Sequence, residues 1–185
     1  MKPAGSEPPL TPAPLVRDAL ATDMPAIQAI YEHHVLHGLA TFEEIPPSAE
    51  EMAARWERIR ALGLPYLVAE LGGRVAGYSY ASSFRPRAAY RYTLEDSVYV
   101  AQELGGRGIG TALLAALIAR LEAGPWRQLL AVIGDSGNAG SIALHRRLGF
   151  RMTGTNKAVG FKFGGWVDTV EMQRELGPGS STLPA

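Results

Sequence analysis

The chain has 185 residues, 18 basic and 18 acidic side chains, and an apolar content of 46%. This length suits one domain with one core, and this apolar content excludes a largely disordered chain. The balanced charge gives no attraction to nucleic acid or an anionic membrane, and no apolar run approaches the ~20 residues of a membrane span. The lack of cysteine excludes disulfides, thiolate zinc sites and a cysteine nucleophile. The composition predicts a cytoplasmic protein that acts on a small molecule.

Both ends of the chain have the composition of loose segments. Residues 1–14 are rich in proline, and residues 177–185 contain Gly-Pro-Gly-Ser-Ser. The sequence therefore predicts a disordered N-terminal tail at 1–14, one domain at 15–176 and a disordered C-terminal tail at 177–185.

Periodicity, caps and turn signals predict an alternation of strands and helices within the domain. The first half comprises strand 15–19, a helix that begins at Thr22 or Asp23, helix 49–62 capped by Ser48, and strands 66–71 and 74–82 around the turn Gly72-Gly73. The second half comprises strand 93–100, helix 108–123, strand 128–133, helix 141–148 and an antiparallel hairpin after Phe150. The order β-α-α-β-β-β-α-β-α-β-β contains no repeat and differs from that of doubly wound nucleotide folds.

A glycine-rich loop lies between strand 93–100 and helix 108–123. It reads Gly105-Gly106-Arg107-Gly108-Ile109-Gly110-Thr111. Glycines allow close approach of the backbone to a ligand, and the first turn of a helix offers unpaired N–H groups to an anion. The loop lacks the Gly-Lys-Ser/Thr of a Walker A loop and the third glycine of a Rossmann fingerprint. An ordinary turn capped by glycines is the structural alternative.

The loop resembles the pyrophosphate-binding pattern R/Q-x-x-G-x-G/A of the GNAT-type N-acetyltransferases, with Gly105 in place of the leading Arg or Gln. Longer segments resemble the phosphinothricin and methionine sulfoximine N-acetyltransferases within that superfamily. These segments are Leu94-Glu95-Asp96-Ser97-Val98-Tyr99-Val100, Asn138-Ala139-Gly140-Ser141-Ile142, Leu144-His145-Arg146-Arg147-Leu148-Gly149-Phe150 and Val159-Gly160-Phe161-Lys162-Phe163-Gly164-Gly165-Trp166. The resemblance covers the whole domain.

The resemblance implies the α/β (α+β) GNAT fold, a central mixed and mostly antiparallel sheet flanked by helices, with acetyl-CoA as co-substrate and no metal. It implies acetyl transfer to the amino group of a small amino-acid analogue such as phosphinothricin, methionine sulfoximine or methionine sulfone. A peptide N-acetyltransferase of the same fold and a non-catalytic acyl-CoA-binding module are the alternatives.

Acetyl transfer needs a neutral amine, and an α-amino group with a pKa near ~8 is only about one tenth neutral at pH 7. Glu95 occupies the general-base position that the resemblance implies, and Asp96 is its local competitor. Because neighbouring residues of a strand point to opposite faces, one of these two carboxylates should face the amine. We expect Glu95 to be the base. A solvated strand carboxylate is the alternative.

The resemblance implies two groups of contacts on the acetyl-CoA side. His145 would protonate the departing thiolate, although a packing histidine is an open alternative. Asn138 and Ser141 would contact the cofactor, although Asn138 could simply begin a helix. Further contacts are implied for the glycine loop 105–111 and for Val98, Tyr99 and Val100, whose backbone would pair with the pantetheine arm.

Substrate recognition is expected from the loop around Phe84, Arg85 and Pro86, because a guanidinium binds a carboxylate or phosphinate in bidentate fashion. Asp96, Ser97 and Phe42 complete the predicted substrate site.

We further expect a homodimer whose contact includes the aromatic segment around Phe163 and Trp166. His33, His34 and His37 could suggest a zinc site, but they lack a third ligand and the His-Glu-x-x-His pattern, so no metal is predicted.

Overall fold

A computed structural model describes residues 13–184 of the chain. The predicted N-terminal tail at 1–14 therefore lies almost entirely outside the described residues. The predicted C-terminal tail contains turns: Gly179 donates its N–H to the carbonyl of Leu176 at 3.0 Å, and Arg127 donates to Thr182 Oγ1 at 3.3 Å. Its disorder stays a prediction.

The predicted order of elements is confirmed, and most bounds agree within one or two residues. The strands are β1 Leu15–Asp18, β2 Tyr66–Leu71, β3 Arg74–Ser83, β4 Thr93–Val100, β5 Gln128–Gly134, β6 Arg151–Lys162 and β7 Gly165–Glu175. The helices are α1 Met24–His37, α2 Ala49–Ala61, α3 Ile109–Glu122 and α4 Ala139–Arg147. Short 3-10 turns that the sequence analysis did not anticipate lie at Ala21–Asp23, Ala88–Tyr90 and Gln102–Leu104.

Local signals explain where the elements begin and turn. Gly72 and Gly73 have φ values of 58° and 77°, which is the left-handed conformation that a two-residue hairpin turn requires. Ser48 begins α2, and its hydroxyl accepts the N–H of Glu51 at 3.2 Å. Asp23 precedes α1 but does not cap it, because its carboxylate accepts from Leu20 N–H and binds Arg17.

The sheet has the strand order β1-β2-β3-β4-β5-β7-β6, and its adjacent strands are antiparallel except for the parallel pair β4 and β5. This confirms the predicted mixed, mostly antiparallel sheet. The β4–β5 ladder is short, since it pairs Thr93–Glu95 with residues 128–130. Beyond Glu95 the two strands diverge, and a cleft opens in the middle of the sheet.

Alternation along β4 sends its side chains to two different helical layers. Leu94, Val98 and Val100 pack with α3, whereas Tyr99 packs with α1. Residues from both faces of β4 therefore border the cleft. The longest helices of residues 13–184 have 14 residues, and none is long and apolar enough to cross a membrane.

Candidate active site

A cavity of about 330 Å³ occupies the place where β4 and β5 diverge. Glu95 and Ser97 line it from the face that carries α1 and α2, while Asp96 and Val98 belong to the opposite face. Helix α4 contributes His145 on that opposite side. The cavity thus places two predicted catalytic side chains on either side of one opening in the sheet.

Glu95 is a half-buried carboxylate in this cavity. Burial, together with the negative charges of Asp96 and Glu171, raises its pKa from 4.5 to about 7. A carboxyl group whose pKa lies near the working pH can take up a proton and release it again. The local electrostatics therefore suit Glu95 for general-base chemistry.

Asp96 lies behind Glu95 on the other face and forms a buried ion pair with His145. The distance from His145 Nε2 to Asp96 Oδ2 is 3.0 Å, and the exposed fractions of the two side chains are 5% and 1%. The other carboxylate oxygen, Oδ1, is buried and has no hydrogen-bond partner among residues 13–184. A direct contact of Asp96 with the amine substrate stays a prediction.

Both ring nitrogens of His145 are engaged. Nδ1 lies 2.7 Å from the carbonyl oxygen of Ser141, which can only accept, so this nitrogen carries a hydrogen. Burial lowers the pKa of His145, but the hydrogen bond that its ring donates to Asp96 and the charge of that carboxylate outweigh burial, and the pKa lies above its usual value. His145 thus packs edge to face against Phe150, and it also holds a proton beside the cavity.

The glycine loop follows β4 at the mouth of the cleft. Gly106 and Gly108 have φ values of 76° and 79°, and a Cβ at either position would meet no atom within 4 Å. Helix α3 begins at Ile109, so the N–H groups of its first turn have no partner within the helix, whereas the Ile109 side chain is buried in the core. The loop does not line the cavity itself, and its contact with a pyrophosphate stays a prediction.

The other predicted cofactor contacts fall into two groups. Val98, Tyr99, Asn138 and Ser141 line the cavity, while Val100 lies beside it with its carbonyl bonded to His34 Nε2 at 3.0 Å. Asn138 caps α4, since its Oδ1 accepts the N–H of Ser141 at 3.1 Å. The helix-start alternative for Asn138 is thus observed, and its cofactor contact stays a prediction.

The predicted substrate residues are not all brought together. Phe42 and Ser97 line the cavity, but Phe84, Arg85 and Pro86 do not. Arg85 is exposed, with its guanidinium 4.8 Å from the ring centre of Phe84 and 5.6 Å from that of Tyr90. A substrate contact by this loop stays a prediction.

Several cavity residues were absent from the predicted site. They are Ala40, Thr41, Tyr80, Ala131, Val132, Ile133, Gly134 and Thr169. Tyr80 pairs with Ser97 across the β3–β4 ladder, and strand alternation could have placed it on the Glu95 face. The loop residues Ala40 and Thr41 follow no periodicity, so no sequence signal pointed to them.

The histidines of α1 do not assemble with acidic residues. The rings of His33 and His37 lie 4.9 Å apart, while His34 is tied to the carbonyl of Val100. Among residues 13–184, no three His, Cys, Asp or Glu side chains are grouped in a way that could hold a metal ion.

A sheet that splits between β4 and β5, a half-buried carboxylate in the opening and a glycine loop before α3 are the features expected of an acyl-CoA-dependent acyltransferase. The sequence model described as "Acetyltransferase (GNAT) domain" matches residues 16–170. The chain belongs to the GNAT family of acetyltransferases and is an acetyl-CoA-dependent enzyme of that family.

Relatives of assigned activity and a solved structure give the same family. The chain is 58% identical over 170 residues to phosphinothricin N-acetyltransferase of Alcaligenes faecalis, covering 92% of this chain and 85% of that one. It is 42% identical over 164 residues to L-methionine sulfoximine/L-methionine sulfone acetyltransferase of Pseudomonas aeruginosa, covering 88% and 95%. The crystal structure of a phosphinothricin acetyltransferase from Sinorhizobium meliloti in complex with AcCoA is 51% identical, with a TM-score of 0.90 and 93% of each chain covered. The predicted family and acetyl-CoA co-substrate are confirmed.

Proposed function

We propose that this enzyme transfers the acetyl group of acetyl-CoA to the α-amino group of a small amino-acid analogue such as phosphinothricin, methionine sulfoximine or methionine sulfone. The names of the relatives support this substrate class. The observation that supports this reaction is the environment of Glu95, a half-buried carboxylate with a pKa of about 7 at the opening of the sheet.

Glu95 would act as the general base for the amine. Its side chain faces the α1 and α2 side of the cavity. Ser82 of β3 pairs with Glu95 in the β3–β4 ladder, and Tyr80 of the same strand also lines the cavity. An ammonium group that enters from this side would give a proton to Glu95, directly or through water. The neutral amine would then face the thioester that reaches the cleft from the other side.

The acetyl-CoA side is formed by the glycine loop and the free edge of β4. The open space at Gly106 and Gly108 and the N-terminus of α3 suit a pyrophosphate. Residues 97–99 of β4 have no ladder partner on β5, so backbone groups there can pair with a pantetheine arm, whereas the carbonyl of Val100 is already bonded to His34. Acetyl-CoA supplies the activated acyl group there.

His145 would supply the proton for the departing thiolate. It lies on the acetyl-CoA side of the opening and shares a proton with Asp96. Two protons leave the substrate nitrogen during amide formation: Glu95 would take the first and pass it to solvent, and the second would also go to solvent. His145 would give its proton to the thiolate and regain one from solvent, so the net reaction releases one proton.

Turnover of acetyl-CoA with a panel of amines tests the proposed reaction. We expect the highest kcat/KM with free amino-acid analogues that carry an acidic group, and low values with lysine peptides and simple amines. A preference for peptides would favour a protein N-acetyltransferase, and acetyl-CoA binding without turnover would indicate a binding module.

Arg85→Ala should lower kcat/KM for methionine sulfoximine by about 10- to 150-fold, because a charge-assisted contact is worth about 1.5–3 kcal/mol. The Arg85 guanidinium forms no ion pair or hydrogen bond within residues 13–184, so its donors are free for a carboxylate. Arg85→Lys should recover little, since an ammonium lacks the fork. Equal losses with an amine that lacks a carboxylate would assign Arg85 a structural role.

We also propose a homodimer formed through an aromatic patch, which we define as Phe161, Phe163 and Trp166. Their exposed fractions are 57%, 61% and 72%, and the rings of Phe161 and Trp166 meet edge to face at 5.3 Å. Exposed aromatic clusters mark protein contacts. Sedimentation should show a dimer that Trp166→Ser weakens. A wild-type monomer at working concentration would contradict this assembly.

The proposed place of action is the cytoplasm, because acetyl-CoA is made and used inside cells. Acetylation there would remove the charge of the α-amino group and inactivate a toxic amino-acid analogue. Expression of the active enzyme should therefore protect cells against phosphinothricin, and Glu95→Gln should abolish the protection.

A further inference from the structure

Lys162 is buried between two exposed aromatic residues of β6 and the turn that follows. Its residue exposure is 2%, whereas Phe161 and Phe163 are more than half exposed. Alternation along β6 explains why Lys162 points to the interior and Phe161 outward. Phe163 lies in the turn after β6, and its ring centre is 4.9 Å from the Lys162 ammonium. The aromatic motif that the sequence analysis singled out thus contains one inward-facing cation.

The ammonium group of Lys162 reaches the loop between α1 and α2. Nζ donates to the carbonyl of Gly38 at 2.9 Å and to the carbonyl of Thr41 at 2.8 Å. It forms no ion pair within 4.0 Å among residues 13–184, and burial lowers its pKa while the charges of Glu44 and Glu43 oppose this. A buried ammonium is costly to desolvate, so an apolar side chain would be the simpler choice for stability alone.

The loop that Lys162 holds is a wall of the reaction cavity. Ala40, Thr41 and Phe42 line the same cavity as Glu95. The loop lies directly on the sheet at two glycines. A Cβ on Gly134 would lie 2.1 Å from the carbonyl oxygen of Leu39, and a Cβ on Gly160 would lie 2.3 Å from the Phe42 ring. A small displacement of this loop would therefore change the width of the cavity.

The outer side of the same loop is held by a separate set of contacts. Tyr31 Oη lies 2.8 Å from Thr41 Oγ1 and donates to Glu43 Oε1 at 2.9 Å. Arg55 of α2 binds both carboxylate oxygens of Glu43. The loop would retain these contacts without Lys162, so removal of the ammonium should alter its position rather than unfold it.

We propose that Lys162 is a positioning residue for the amine substrate, which fixes the cavity wall at residues 38–42 and connects that wall to the aromatic patch. This inference rests on the proposed function for the identity of the substrate. Lys162 touches neither Glu95 nor the glycine loop, so its effect is confined to the amine side of the reaction. Assembly through the aromatic patch would order the same wall.

Lys162→Met removes the ammonium and keeps an unbranched side chain. We expect KM for methionine sulfoximine to rise by about 10- to 100-fold, because small misplacements of a substrate wall have effects of this size. The dissociation constant of acetyl-CoA, measured by calorimetry, should change less than about twofold. Lys157→Met is the matched control, since Lys157 is an exposed lysine of the same strand that binds Asp168. It should leave both quantities unchanged.

Hydrogen exchange provides a readout that needs no substrate. Lys162→Met should speed amide exchange at residues 38–43 by at least about tenfold and leave residues 105–111 unchanged. Lys162→Gln, which keeps one shorter donor, should show an intermediate effect and serves if the Met variant does not fold. Unchanged exchange at residues 38–43, or a KM for the amine that stays constant while exchange rises, would overturn the proposal. Loss of acetyl-CoA affinity in parallel with amine affinity would assign Lys162 a general structural role. If no amino-acid analogue is acetylated by the wild type, the proposed substrate class fails, whereas the exchange experiment still decides whether Lys162 holds the wall.

Discussion

Glu95→Gln is expected to lower kcat by about 10²- to 10³-fold at pH 8, where the wild-type carboxylate is ionised. Glutamine keeps the shape and a hydrogen-bonding oxygen, but it cannot take the proton of the amine. Acetyl-CoA affinity should remain within about twofold, because the glycine loop is separate. Wild-type turnover by this variant would move the base to Asp96 or to bulk water.

The pH dependence provides a second test of Glu95. The rising limb of kcat/KM should have an apparent pKa of about 7, as burial and two negative neighbours predict. Glu171→Gln removes one of those neighbours, so it should shift this limb to lower pH without loss of the maximal rate. If the rising limb of Glu171→Gln stays at the wild-type pH, a group other than Glu95 is responsible for it.

Stability gives a control for correct folding of the Glu95 variant. The folded pKa of Glu95 lies above its usual value of 4.5, so its contribution to stability is present below pH 4.5 and is lost as the pH rises through about 7. Glutamine carries no charge at this half-buried position, so the variant avoids that loss of stability. The Tm of Glu95→Gln should therefore exceed that of the wild type at pH 8, and the difference should shrink near pH 4.5.

Gly110→Val is expected to raise KM for acetyl-CoA by about 10- to 150-fold, because one or more charge-assisted contacts with the pyrophosphate would be lost. A Cβ on Gly110 would lie 3.2 Å from Leu144 Cδ2 of α4 and 3.7 Å from Val100 Cγ2 of β4. A branched side chain would press on these neighbours and displace the first turn of α3, whose free N–H groups are proposed to bind the pyrophosphate. Calorimetry with CoA measures the affinity directly.

Gly154→Val is the matched control for the glycine loop. A Cβ on Gly154 meets no atom within 4 Å, and this residue lies on β6, away from the cleft. It should leave CoA affinity unchanged. An unchanged affinity in Gly110→Val as well would refute the assignment of the loop to pyrophosphate.

Local patterns predicted most of the fold because they need no information about distant residues. The caps, the Gly72-Gly73 turn and the glycine loop each carry their conformation in adjacent residues, and the structure confirms the elements that they delimit. Strand alternation also separated Glu95 from Asp96, and these two side chains do lie on opposite faces of β4.

Those local patterns could not predict contacts between residues that are far apart in the sequence. The partner of Asp96 is His145, 49 residues away, and the partners of Lys162 lie more than 120 residues earlier. No spacing rule relates such residues, since the fold alone brings them together. The sequence of the loop at residues 84–86 suggested Arg85 as a substrate contact, but this loop does not line the cavity. Contact of Arg85 with the substrate stays a prediction.

The sequence by itself determined the order of elements, the position of the glycine loop before α3 and the resemblance to the acetyltransferases, because each depends on neighbouring residues or on a shared motif. The tertiary structure alone decided the divergence of β4 and β5, the engagement of both ring nitrogens of His145 and the buried position of Lys162. The pKa of Glu95 belongs to the second group as well. It depends on burial, on the charge of the adjacent Asp96 and on that of Glu171 on β7, and the burial and the approach of Glu171 arise only when the chain has folded.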